Sequence, residues 1–421
     1  MRYMTILMLG VTMHATASAD NSLRWPHDVP AEVRKWEGKI ADARPKLEGL
    51  PAQGEQYEAQ KSRLAFAWSQ YGLYLTFLGD SEGGRSAHDQ FRVLWMNKPI
   101  SQPDDAARAA AAKAEDAMQA ILAAARERRI VMLNESHHAS LHRAFGMALA
   151  KELRKLGFTH MAVETLAPSG IERGMVLRSS GYYSNDPMFA NFLRSAAADG
   201  WQLVPYDYGD FGPDNASSDE RWNFRETAQA TNIIENIFDK DPNAKVFIYA
   251  GYDHIRKRPL PTEQGTVSMA GILAHRTGLD PLTIDQIEMM PMIDPSWQHP
   301  AYANALLKAK RGQPFLLRDA QGKPEVFGYK RAGAIDLQVV HPPIEVDAAT
   351  GRPSWMSTVA GLRPVVVPRH LLRGRATRWA YAHLKGQPAD AVAADIVKLE
   401  PGKPAPKFML PPGEYTYGIL K

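Results

Sequence analysis

The chain has 421 residues, 45% apolar and 23% charged, an ordinary globular composition with length for two or three domains. Its 50 lysines and arginines against 46 acids give a formal net charge of +4, and these residues are scattered, which argues against a nucleic-acid partner. With no cysteine, disulfides, a thiolate nucleophile and cysteine-ligated zinc are excluded.

At the N-terminus Arg2 precedes an apolar stretch over residues 5–13, then Ala17, Ser18 and Ala19. A charged n-region, a short h-region and an A-x-A site read as a signal peptide over 1–19, cleaved after Ala19. The expectation is export, to the periplasm or beyond. The stretch is too short to span a bilayer, and no later window is long and apolar enough for a stable membrane span. The cleavage point lacks the cysteine of a lipoprotein.

Residues 20–126 read as a helical segment packing on the core. The pattern predicts helices over 32–43, ending before Pro45, and over 56–77, with Leu64, Trp68, Tyr71 and Leu75 on one stripe. A glycine-rich break follows at 79–84, and an alanine-rich helix is predicted over 103–126. The aromatics Trp68, Tyr71, Tyr74, Phe77 and Trp95 fit core packing as well as a cleft lining.

From 127 to 345 strands and helices alternate. Strands are expected at 130–133, 160–163, 202–205, 246–250 and 282–284, and helices at 139–156, 186–199, 220–238 and 269–277. A polar, turn-rich loop fills 209–219. Such alternation predicts an α/β fold, a mainly parallel sheet flanked by helices. Short β-like runs at 315–317 and 337–340 follow. Residues 346–421, with runs at 365–367, 396–399 and 415–419, read as a small β-rich C-terminal appendage. Basic residues crowd at 126–129 and 369–378, and both places read as solvated surface.

Four predicted strands end in groups that carry chemistry. The first ends in Asn134, Glu135, Ser136, His137 and His138, the second in Glu164, the third in Tyr206 and Asp207, and the fourth in Gly251, Asp253 and His254. In a parallel sheet these ends share one edge, where open α/β sheets bind ligands. His138 and His142 stand four apart, on one side of a helix, and with Glu135, Glu164 and His254 would make a divalent-metal set. Without a metal, a histidine held by a carboxylate would activate water, with Arg225 or a backbone N–H on the oxyanion. A Ser136 nucleophile is the weaker reading, because nothing resembles a G-x-S-x-G elbow. Arg225, Glu226, Gln229 and Asn232 fall together at helical spacing.

Four blocks in order resemble the superfamily of erythromycin esterases, ChaN and TIKI/TraB proteins: L-N-E-S-H-H-A-S-L-H, G-F-T-H-M-A-V-E, R-E-T-A-Q-A-T-N, and A-G-Y-D-H-I followed by M-A-G-I-L. The resemblance covers residues 129–284. It implies an α/β fold with active-site groups at strand ends. The esterase branch hydrolyses a macrolide lactone through a histidine-activated water, the TIKI branch is similar to metal-dependent peptidases, and the ChaN branch binds haem. The matching positions are Glu135, Glu164, Arg225, Glu226 and His254. The esterase spacing selects His138, and the ChaN spacing selects His137 with His142. Asn134 stands where the family has glycine, and asparagine also tolerates a left-handed turn.

The expected function is therefore an exported hydrolase of an ester, lactone or amide in a small molecule or peptide. Its catalytic set is Glu135, His138, Glu164, Arg225, Glu226 and His254, and its metal set, if one is used, is Glu135, His138, Glu164 and His254. The alternative is a ChaN-like haem- or metal-binding protein without turnover, using His137, His142 and the methionines of 289–292.

Overall fold

The structure, a computed structural model, describes residues 28–95, 101–172, 174–209, 211–213, 215–259, 265–308, 312–328 and 331–420. The signal-peptide reading of 1–19 lies outside the described residues.

The N-terminal segment is helical: α1 (Val29–Glu48), α2 (Glu55–Phe77) and α3 (Ser81–Trp95), with α2 packed between the other two. Two expectations fail here for packing reasons. Helix α1 runs past Pro45, because Ala43 and Leu47 are both buried in the helical core. The expected break at 79–84 is only a short turn, and Gly83 and Gly84 lie inside α3. A Cβ on Gly84 would come within 3.0 Å of the Gly72 carbonyl, so this glycine permits close helix contact.

The alanine-rich stretch is not one helix. It divides into α4 (Asp105–Ala111), β1 (Lys113–Asp116) and α5 (Ala117–Ala125). Strand β1 pairs antiparallel with β7 (Phe315–Arg318), a long-range partner that overrides local helix propensity. Ala117, Ala120, Ile121 and Ala125 then join the core of the α/β region, so this part packs with the sheet.

The α/β region contains β2 (Ile130–Glu135), α6 (Ser140–Lys155), β3 (His160–Val163), α7 (Pro187–Ala198), β4 (Gln202–Pro205), α8 (Ser218–Ile233), β5 (Val246–Gly251), α9 (Met269–Thr277), β6 (Leu282–Asp285), α10 (Tyr302–Leu306) and β8 (Leu337–Gln338). Six strands form one all-parallel sheet in the order β4-β3-β5-β2-β6-β8. Alternate residues of the central strands enter opposite cores, as a sheet covered on both faces requires. Val131, Leu133, Phe247 and Tyr249 face α5, α6 and α7, while Ile130, Met132, Val246 and Ile248 face α8 and α9. Local signals delimit the helices. A reciprocal capping box between Ser217 and Glu220 opens α8, and Gly278, at φ 68°, closes α9.

The C-terminal part is β-rich: β9 (Val346–Asp347), β10 (Arg352–Pro353), α11 (Trp355–Thr358), β11 (Arg363–Val365), β12 (Arg378–Leu384), β13 (Asp395–Leu399), β14 (Phe408–Leu410) and β15 (Tyr415–Ile419). Strand β12 lies between β13 and β15, and β11 pairs with β14, all antiparallel. Among the described residues no helix is long and apolar enough to cross a membrane.

Candidate active site

Register brings the chemistry together. Glu135, the last residue of β2, lies opposite Gly251, the last residue of β5, and the Glu164 N–H donates to the Tyr249 carbonyl at 3.1 Å. Just past these ends the backbone turns hard. Thr165 sits at φ 56° and Tyr252 at φ 43°, the two non-glycine residues with positive φ among those described. A β-branched residue there is an outlier costing roughly 1–3 kcal/mol, and such strain gathers at working sites. The Thr165 carbonyl accepts from Tyr182 N–H at 3.3 Å, which helps hold the turn.

The first half of the site is built on Glu135. Arg143, one helical turn into α6, donates to both its oxygens at 2.9 and 3.0 Å, and the Tyr249 hydroxyl donates at 2.8 Å. Arg143 also bonds Asp186, the N-cap of α7, and the His137 carbonyl. Burial opposes ionisation of Glu135, but Arg143 and His137 outweigh it and hold the carboxyl well below the usual range. An ionised carboxylate only accepts, so the fourth bond, 2.8 Å from His137 Nδ1, is an N–H donated by the imidazole. In the neutral ring that donation leaves the lone pair on Nε2.

His137 lies parallel to Tyr183, centroids 3.8 Å apart, with Tyr252 edge-on at 4.9 Å. Its side chain is 12% exposed. Gly251 lets it lie there. A Cβ at that position would stand 2.7 Å from His137 Nε2 and 3.0 Å from Glu164 Oε2. The imidazole and the Glu164 carboxylate thus both lie over the bare backbone of Gly251.

The second half hangs on one face of α8, where Trp222, Arg225, Glu226 and Gln229 recur at three- and four-residue intervals. Arg225 donates to Glu164 at 2.8 Å and to both oxygens of Asp207 at 3.1 and 2.8 Å, and Gln229 donates to Asp207 at 2.7 Å. The Gly251 N–H donates to Glu164. Glu226 accepts from His254 Nδ1 and from the Met269 N–H. His254 Nε2 faces Glu164 at 3.7 Å, and Trp222 stacks on the ring at 5.1 Å. Burial opposes the imidazolium, but Glu226 and Glu164 outweigh it, so the His254 pKa is raised. Burial likewise opposes charge on Asp207, and Arg225 and Gln229 overcome it, lowering its pKa.

Glu135, Glu164, Arg225, Glu226 and His254 therefore surround one strand-end site. His138 does not join them. It turns towards the helical segment, its Nε2 3.0 Å from the Ser69 carbonyl and its ring stacked on His88 at 4.3 Å. Burial pushes its pKa down to about 3. The place expected for His138 is taken by His137. The expected metal set does not assemble: among the described residues no three histidines, aspartates or glutamates are grouped to hold an ion. Glu135 is saturated by Arg143 and Tyr249, and Nδ1 of His254 is taken by Glu226.

The haem ligands separate too. His142 is fully enclosed, its Nδ1 accepting the Ser136 N–H at 3.0 Å and its ring facing His341 at 5.3 Å, so it offers no edge to a haem iron. Met289 and Met290 are core residues, and the Met292 sulfur accepts from Arg92. Among the described residues, the side-chain hydrogen-bond partner of Ser136 Oγ is the Tyr252 hydroxyl, at 3.5 Å. Asp253 pairs with buried Arg331 at 2.6 Å, and Arg331 also reaches Asp285 at 3.2 Å. Asn134 is not in a left-handed turn. Its amide donates to the Tyr252 carbonyl and Asp285, and its oxygen accepts the Gln286 N–H, tying β2 to the β5 turn and β6.

Arg143, Tyr249, Asp186, Tyr183 and Trp222 were not among the expected site residues. The signal for Arg143 was available: it is a charged position between Leu141 and Phe145 on the apolar face of α6, and a fully buried arginine needs carboxylates.

No protein family and no curated protein matches the chain. It is similar in part to two solved structures of bacterial protein toxins. One has a TM-score of 0.30 and 14% identity over 55% of this chain and 47% of that one. The other has 0.30 and 15% over 62% and 57%. A third structure is RRSP, a MARTX toxin effector domain from Vibrio vulnificus CMCP6, with 0.26 and 14% over 48% and 41%. The chain spans about half the length of these structures, and likenesses this weak assign it no activity.

Proposed function

We propose that the protein is a hydrolase of an ester, lactone or amide bond, in which His137 activates the attacking water. The observation that carries this is the Glu135–His137 pair: a carboxylate held ionised, an imidazole whose Nδ1–H it fixes, and an Nε2 lone pair beside Glu164 at a partly open strand end. In this reading water lies between His137 Nε2 and Glu164. His137 takes its proton as the oxygen adds to the carbonyl carbon. Arg225, 23% exposed against 0% for Arg143, is the cation within a substrate's reach and stabilises the oxyanion. The intermediate collapses as the imidazolium returns the proton to the leaving oxygen or nitrogen. Glu226 and Glu164 favour the charged form of His254, whose Nε2 faces Glu164 at 3.7 Å and holds it in place.

The order of the four sequence blocks supports membership of the erythromycin-esterase, ChaN and TIKI/TraB superfamily as part of the same proposal, and the A-x-A site supports export. The test is a panel of chromogenic esters, lactones and amides, with and without chelator, on the wild type and His137→Ala. Turnover of at least one class, lost in the variant, is expected. Failure of the wild type on every class, or equal rates for both proteins, would reject the proposal.

A further inference from the structure

We propose that the exposed segment carrying Arg363, Val366, Arg369, Leu372, Arg373 and Arg375 docks the protein on an anionic lipid surface. The inference is independent of the hydrolase reading. It concerns the basic stretch of the β-rich part.

Between Asp347 and Asp390 the chain has no acidic residue. Some of the cations in this stretch are already used. Arg352 is buried against Asp395 at 2.9 Å, Lys385 pairs with Glu414 at 2.9 Å, and Arg378 donates to the Leu371 carbonyl at 3.2 Å. Arg363, Arg369, Arg373 and Arg375 are exposed and form no ion pair among the described residues. Glu400, another acid of this unit, is engaged by Lys403 at 3.0 Å and Lys398 at 3.9 Å.

Apolar groups stand among these arginines. Val366 is 69% exposed and Leu372 45%. They are held outward, because their neighbours Val367 and Leu371 are buried in the β-rich core and anchor the segment. A 3-10 turn spans Arg369–Leu372, and in that geometry positions three apart lie above one another.

The combination selects the partner. Guanidinium groups match phosphate in a forked geometry. Apolar side chains between them gain by entering the headgroup–acyl boundary, and basic residues add attraction to anionic lipid. A single-stranded nucleic acid would instead reward large aromatic rings for stacking, and residues 363–378 contain no phenylalanine, tyrosine or tryptophan.

The test is flotation of the full chain with vesicles of phosphatidylcholine containing about one third phosphatidylglycerol, beside phosphatidylcholine alone. Binding to the anionic vesicles only, weakened by salt, is expected. Arg369→Gln with Arg373→Gln should weaken it about thirtyfold. Leu372→Ser and, separately, Val366→Ser should weaken it too, with melting curves unchanged because both sites are exposed. Equal affinity for neutral and anionic vesicles would overturn the proposal. So would binding of a single-stranded oligonucleotide as tight as that of vesicles, indifferent to Leu372→Ser and Val366→Ser, since that is the behaviour of a polyanion surface.

Discussion

The site contains the same pair of side chains twice, and the two copies are built for different work. In Glu135–His137 the carboxylate takes three further donors from Arg143 and Tyr249, and among the described residues the imidazole hydrogen-bonds one acid, Glu135. In Glu226–His254 the imidazole lies between two carboxylates under Trp222, 2% exposed. The first arrangement leaves a base at Nε2. The second favours the imidazolium. A histidine next to a glutamate is thus not one motif, and the donors around the carboxylate decide which it becomes.

The comparison breaks most severely at Arg143. Arg143→Met leaves Glu135 and Asp186 buried without their cation, and a loss of about 3–5 kcal/mol in denaturant unfolding is expected. A loss below about 1 kcal/mol would mean that Glu135 is not held ionised by Arg143.

The next effect is acid lability. His138, His142 and His341 are buried and neutral, with burial pushing the first and last down to about 3 and His142 well below its ordinary value. Their folded pKa values lie below those of the unfolded chain. Stability is therefore full above about pH 6.5 and falls as the pH drops below it, by up to about 1.4 kcal/mol per pH unit for each group. His138→Phe should flatten that slope. An unchanged slope would contradict the placement of His138 against His88.

His254 runs the opposite way. Its folded pKa is raised, so its contribution is full below about pH 6.5 and is lost as the pH climbs through the folded value. The stability gap between wild type and His254→Gln, about 2 kcal/mol at pH 6 from the charged hydrogen bonds, should narrow as the pH rises. A gap that widens would reverse the roles of the two pairs. The smallest effect on stability is at Gly251. Gly251→Ala should cost about 1–2 kcal/mol from overpacking yet reduce turnover more than that, because the methyl pushes His137 from Glu164. Unaltered turnover would remove their meeting point from the mechanism.

Much of this was legible in the chain. Apolar runs followed by Glu135, Glu164, Asp207 and Gly251 marked parallel strand ends, and the spacing of Arg225, Glu226 and Gln229 marked one face of α8. The choice between His137 and His138 was not legible, because residues 136–139 form a turn, where no periodicity says which way a side chain points. Helix α3 was hidden by Gly83 and Gly84, which read as a break until α2 supplies the surface that Gly84 packs against. Strand β1 was hidden because its partner lies some two hundred residues away.

The most direct test of the central claim compares His137→Gln with His138→Gln on one substrate that the wild type hydrolyses. The account predicts kcat/KM at least about a hundredfold lower in the first and within about threefold of wild type in the second. The reverse order would place the base at the Ser69 contact instead, and the Glu135–His137 pair would lose its role.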